Sequence, residues 1–573
     1  MNRIYSTVWS EARGTYVVAH EKSKAKGKPS TRKGVVEAVA AALLALGAGQ
    51  AMATPPCPVA AIGSIITMNS AQTSTCTLQA GESLLVTAPG SISVSGGDAV
   101  YVGGGTLAGG IDNGGSILSS TSASGNYANT YANGINVSGG SFSGGITNSN
   151  TIGALASSSA TTVSGSGSAY AYADANAYGL SVTGSSFGSG ISNSGTIAAT
   201  ASAFASALTS GTSAYANANA NAYAYGINVT GSSFSGGIVN SGLITATASV
   251  SASALASGSS SNAYAYANAN AYGINVTGSS FSGGITNSGT IVATASGNYA
   301  DAMGINVDRS SIGGSIVNSG LIASSSHGIY VHNYSTVNGI TNGLTGTIAG
   351  YDGIDIASSS ITSDIRNSGV IVGSYVGLIV DGNGTVSPAI SGDIVNSGSA
   401  SVILGGSTGI RLRNGATVTG SIVNQGVIAG GYSNGIYIGN STLVGGITNS
   451  GTIAGGNVGI TVNSGTIAGG IHNLAGGQII GSSGVAMELW GNGITDVTNA
   501  GTINGAVNGY ANLTNNGLYI LPEQGSNPNV ANINGGGGSF SGSYVQSSIS
   551  GNFTQGSTGT LRIGAAGTAS GQY

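Results

Sequence analysis

Apolar and polar positions recur in one phrase, G-G-I-x-N-S-G-x-I with drift, from about residue 109 to residue 503. Gly236-Gly237-Ile238-Val239-Asn240-Ser241-Gly242-Leu243-Ile244 is a full copy. Others centre on Asn113, Asn148, Asn193, Asn287, Asn318, Asn342, Asn367, Asn396, Asn424, Asn449, Asn473 and Asn499. A second phrase, G-I-x-V, precedes several copies, as at Ile274/Val276 and Ile305/Val307. Ile-x-Val and Ile-x-Asn alternate with a period of two, which is strand spacing. Gly, Asn and Ser punctuate these strands with turns.

From Asn318 to Asn473 the asparagines are 24, 25, 29, 28, 25 and 24 residues apart. A period in the twenties built from short strands predicts a solenoid, since no single repeat can bury its own apolar face. The expected fold is all-β, a right-handed parallel β-helix of about 20 rungs, at ~4.8 Å per rung. Stacked Asn287, Asn318, Asn342, Asn367, Asn396, Asn424, Asn449 and Asn473 are expected to bond amide to amide as a structural ladder.

Between Asn113 and Asn318 the spacing becomes 35, 45, 47, 47 and 31 residues. The longest repeats are read as two rungs each, with projecting Ser/Ala loops as the alternative. The inserted sequence alternates, as in Ala263-Tyr264-Ala265-Tyr266-Ala267-Asn268-Ala269-Asn270-Ala271. Ala is expected inside and Tyr or Asn outside. Tyr170, Tyr172, Tyr178, Tyr223, Tyr225, Tyr264, Tyr266 and Tyr272 then form columns, either packing rung on rung or offering a binding face.

Charge changes the picture at the N-terminus. Of 13 basic and 17 acidic residues, eight and three fall within the first 37, leaving 5 against 14. The remainder has no basic face for nucleic acid or an anionic membrane. The basic run Lys22 to Lys33 precedes an apolar stretch, Ala38 to Leu46, and Ala51-Met52-Ala53. That is a secretory signal peptide with cleavage specified by Ala51 and Ala53. Export to an oxidising compartment makes a Cys57–Cys76 disulfide the expectation.

Ahead of the basic run, Met1, Asn2, Ile4, Tyr5, Val8, Trp9, Val17, Val18 and Glu21 form a further pattern. It resembles the extended signal peptide of type V secreted proteins, the autotransporters and their two-partner relatives. Ser10 and His20 depart from it, standing where Asn and Ser are commonest. The resemblance implies Sec export, then outer-membrane assembly machinery, and a passenger at the cell surface, in the outer membrane or released. Gly551 to Gln555 and Gly559 to Gly564 resemble the end of such passengers. No barrel follows before Tyr573, so the barrel is expected outside this sequence.

The expected organisation is a signal region at 1–53, an N-terminal cap at 54–100, long Ala/Ser/Tyr-rich repeats at 101–317, regular repeats at 318–520 and a junction at 521–573. Chemistry is sparse. Asp364 and Asp393 hold the same repeat position, where stacked carboxylates suit a cation or a glycosidic bond. Arg366 stands beside them. His327 and His332 are expected on opposite faces, a poor metal pair. No cofactor, metal or catalytic residue is assigned. The leading expectation is an adhesin or self-association stalk meeting a host or neighbouring-cell surface, glycans or itself. The alternatives are a carbohydrate-active β-helix enzyme and a non-functional remnant.

Overall fold

A computed structural model describes residues 5–10, 15–20, 63–107, 109–382, 387–493, 495–521 and 547–563. Every regular element among them is a strand. The chain divides into two units, Met1–Ala51 and Met52–Tyr573. In the first, Tyr5–Ser10 pairs antiparallel with Thr15–His20. Ala51, Ala53 and Cys57 lie outside the described residues.

The second unit is a β-solenoid. Its Ile-x-Asn strands stack in parallel from Ile65–Met68 to Phe553–Gln555, Ile over Ile and Asn over Asn through the regular part. Seventeen strands make this column, a rise of about 80 Å at ~4.8 Å per rung. A regular rung runs from Ile340–Asn342 through Thr347–Ala357 and Ser360–Ile361 to the next copy at Ile365–Asn367. The register of Thr347–Ala357 with the next rung shifts between Gly350 and Asp352.

Each turn of the chain sends the same positions inward. Ile316, Ile340, Ile365 and Ile394 form one buried column, and Ile329, Ile354, Leu378 and Ile410 another. Phe142, Phe187, Phe234 and Phe281 stack face to face inside a third, with centroids 4.5 to 4.6 Å apart and planes within 4°. Ile312, Val337 and Ile361 continue that column. This Phe stack, set by the recurring Ser-Phe pair, was not anticipated.

The long repeats are single rungs, which corrects the two-rung reading. Asn148 pairs directly with Asn193, and Asn193 with Asn240. The extra residues lengthen two strands of the same rung. Thr151–Ser164, Thr196–Ser210 and Leu243–Ser257 form one sheet; Ser168–Phe187, Tyr215–Thr230 and Asn262–Thr277 form another. Alternating alanines, among them Ala173, Ala201, Ala220 and Ala269, fill the space between them. The result is a two-layered fin. Two Ala faces can lie closer than ordinary stacked sheets, which stand ~10 Å apart. The Ile-x-Asn column counts seventeen rungs among the described residues, where about twenty were expected for the whole mature chain.

Candidate functional site

Asparagine fixes the turn after each Ile-x-Asn strand. From Asn113 to Asn515, each side-chain Nδ2 donates to the Oδ1 of the next rung at 2.7 to 2.8 Å. The column includes Asn287, Asn318, Asn342, Asn367, Asn396, Asn424, Asn449 and Asn473, all buried. Each Nδ2 also reaches backbone carbonyls; that of Asn367 donates to Gly369 at 3.1 Å and Val402 at 3.0 Å. The ladder is interior, so it lines no ligand groove. A second ladder runs along the Ser-Ser turns, where backbone N–H groups of Ser185, Ser232, Ser279, Ser310 and Ser335 donate to the Oγ of the next serine at 3.0 to 3.2 Å.

Cys76 is buried and disulfide-bonded. Asp364 and Asp393 do lie on adjacent rungs, but their carboxylates are engaged. Asp364 Oδ1 accepts the Asp393 backbone N–H at 2.7 Å, and Asp393 Oδ1 accepts that of Ser421 at 2.7 Å. Arg366 pairs with the other oxygen of Asp364 at 2.5 Å. Both aspartates act as caps joining one rung to the next.

The fin divides the tyrosines. Tyr178, Tyr225 and Tyr272, nearest the trunk, stack at 4.7 and 4.9 Å and are half-buried. Burial raises the pKa of all three, that of Tyr272 to about 12. Farther out, Tyr170, Tyr264 and Tyr266 are 41 to 45% exposed. Tyr170 leans on Tyr215, and Tyr215 on Tyr264, with centroids 5.7 and 5.6 Å apart. Asn217 and Asn219 fill register positions between them. On the opposite face of the fin, Val163, Leu208 and Leu255 share one register column and are exposed.

A polar corner lies just past the fin. His327 sits over Asp352, and Tyr330 over Asp355, on successive rungs. His327 Nδ1 lies 3.7 Å from Asp352 Oδ2 and 3.6 Å from Asp355 Oδ2. Tyr330 stacks between the rings of His327 and His332, at 4.5 and 4.1 Å. Both histidines therefore project on the same outer face, which corrects the opposite-face reading. The two-residue period breaks at Gly328, where the strand turns a corner. A Cβ there would stand 2.4 Å from the Gly353 carbonyl oxygen and 2.6 Å from Ile348 Cγ2. The recurring Gly before Ile-x-Val was the signal that could have revealed this corner.

Burial pushes Asp355 up to about 8, helped by the neighbouring Asp352 charge. Burial also raises Asp352 and lowers His327 and His332, so the corner disfavours charge on any of them. One rung on, Asp381 accepts from Arg413 Nε and Asn414 Nδ2, each at 2.7 Å. The Arg411 guanidinium lies between the Tyr375 and Tyr437 rings.

Residues 1–50 match the family described as the extended signal peptide of the type V secretion system. No curated protein and no solved structure matches the chain. An extended signal peptide followed by a parallel β-solenoid makes this an autotransporter-type passenger, exported by Sec through the periplasm to the cell surface, the outer membrane or the medium.

Proposed function

We propose that this exported solenoid is a surface adhesin whose contact face is the tyrosine-bearing side of the fin. The observation that carries the reading is the exposure of Tyr170, Tyr264 and Tyr266 on one sheet. Phenol rings offer flat apolar faces for sugar rings, and intervening amides can bond to hydroxyls. The tyrosine positions recur two rungs apart, Tyr170 with Tyr264 and Tyr172 with Tyr266, so weak single contacts would add by multivalency. Glycans on a host or neighbouring cell fit this chemistry. Self-association is the second reading, favoured by the exposed Val163, Leu208 and Leu255 column on the other face.

Beads coated with the full-length chain test both. Attachment to cells and to a glycan array should fall by more than about tenfold, ~1.4 kcal/mol, when Tyr170, Tyr264 and Tyr266 are all changed to Ser. Bead clumping should then persist. Clumping lost on Leu208→Ser with Leu255→Ser, with attachment unaffected, would favour the self-association reading. Beads that neither attach nor clump would overturn the adhesin proposal.

A further inference from the structure

The corner formed by His327, Asp352 and Asp355 joins two successive rungs on the outer face of the solenoid, where His327 continues, through Met303, the register column of Tyr272. One imidazole nitrogen and two carboxylate oxygens converge there, with the three ligating atoms all within 4.8 Å of one another. Nothing in the adhesin reading uses them.

Two polar atoms at this corner are buried without a hydrogen-bond partner, His327 Nδ1 and Asp355 Oδ1. Asp355 itself is only 9% exposed. Such orphaned groups are costly unless something satisfies them. The imidazole does not do so for either carboxylate, since gaps of 3.6 and 3.7 Å exceed a hydrogen bond. They are close to the separation of two ligands held tetrahedrally at ~2.1 Å by one metal ion, roughly 3.4 Å.

The ligands are also held in place. Asp352 Oδ1 accepts the Val376 backbone N–H at 3.1 Å, leaving Oδ2 aimed at His327. The Tyr330 ring lies flat against the imidazole at 4.5 Å. Supporting partners of this kind fix ligand orientation in metal sites.

We propose that His327 Nδ1, Asp352 and Asp355 bind a divalent transition-metal ion of the zinc class, which clips adjacent rungs together. Mixed nitrogen and oxygen donors favour such an ion over calcium, which takes six to eight oxygens. Two carboxylates balance its charge. Three protein ligands leave a fourth position for water.

The test uses the full-length chain stripped with a chelator and titrated with zinc chloride. One equivalent should bind by calorimetry and by elemental analysis after dialysis, and the melting temperature should rise. His327→Gln and Asp355→Asn, each checked for an unchanged β spectrum, should weaken binding by more than about 100-fold. Even removing a ligand's supporting partner costs about 10- to 100-fold. His472→Gln should bind as the parent does, and calcium chloride should leave the melting temperature unchanged. No stoichiometric binding, or binding that survives both His327→Gln and Asp355→Asn, would overturn the proposal.

Discussion

At the scale of single residues, the asparagine ladder shows how a polar side chain becomes a structural requirement. Asn367 accepts from Asn342 at 2.8 Å and donates to Asn396 at 2.8 Å and to two carbonyls. Asn367→Ala removes all four bonds and leaves Asn396 Oδ1 without its donor. The expected loss is ~2–4 kcal/mol, from buried groups left unsatisfied. Asn367→Asp should cost more, because it sets a carboxylate against three acceptors. Native-state hydrogen exchange of the flanking rungs, 342 to 424, measures both. A loss below about 0.5 kcal/mol for the alanine variant would mean the ladder is dispensable. The ladder was readable in the sequence because one polar residue held a fixed place in an apolar phrase. The His327 corner was not. Strand alternation assigns faces only while the strand stays straight, and Gly328 turns it.

Among the elements, the fin separates pattern from architecture. Alternation correctly turns Ala171, Ala173 and Ala175 inward, because side-chain direction follows from local strand geometry. It cannot say whether 47 residues close one rung or two. The better clue was the phrase itself. Each long repeat carries one Ile-x-Asn, and a second rung would need a second corner of that kind. Small alanines allow two long sheets to pack closely, and the tyrosines then close over them from outside. Tyr178, Tyr225 and Tyr272 have phenols whose ionisation burial opposes, so the folded chain holds those protons more tightly than the unfolded one. Their contribution is complete below the ordinary tyrosine value of 10.0 and declines as pH rises toward about 12, the raised value for Tyr272. Melting temperature should accordingly fall over that alkaline window, and Tyr272→Phe should fall less steeply. Identical slopes would show that the stack does not couple to folding.

For the molecule as a whole, each rung touches only its neighbours, so stability is a sum of local terms along the trunk. The trunk interior is Ile, Val, Leu and Phe, whereas the fin interior is Ala. Each buried CH₂ contributes ~0.8 kcal/mol, so an Ala position gives up about 2 kcal/mol against an Ile position. The fin is nevertheless tied to the trunk within every long rung. Thr196–Ser210 begins with the buried trunk residue Ile197 and continues outward through Ala201, Ala203 and Ala205. Sub-global opening should therefore start at the fin tip and stop at the trunk, leaving the solenoid closed beneath it. Amides at 203–209 and 216–222 should exchange at least about tenfold faster, ~1.4 kcal/mol, than those of Ile191–Asn193 in the same stack. Uniform protection along these rungs would mean that fin and trunk open together. Alanine packing would then be as cohesive as the isoleucine core, contrary to its smaller buried area. An adhesive face carried on the least stable element could adjust to a partner without loosening the trunk that presents it.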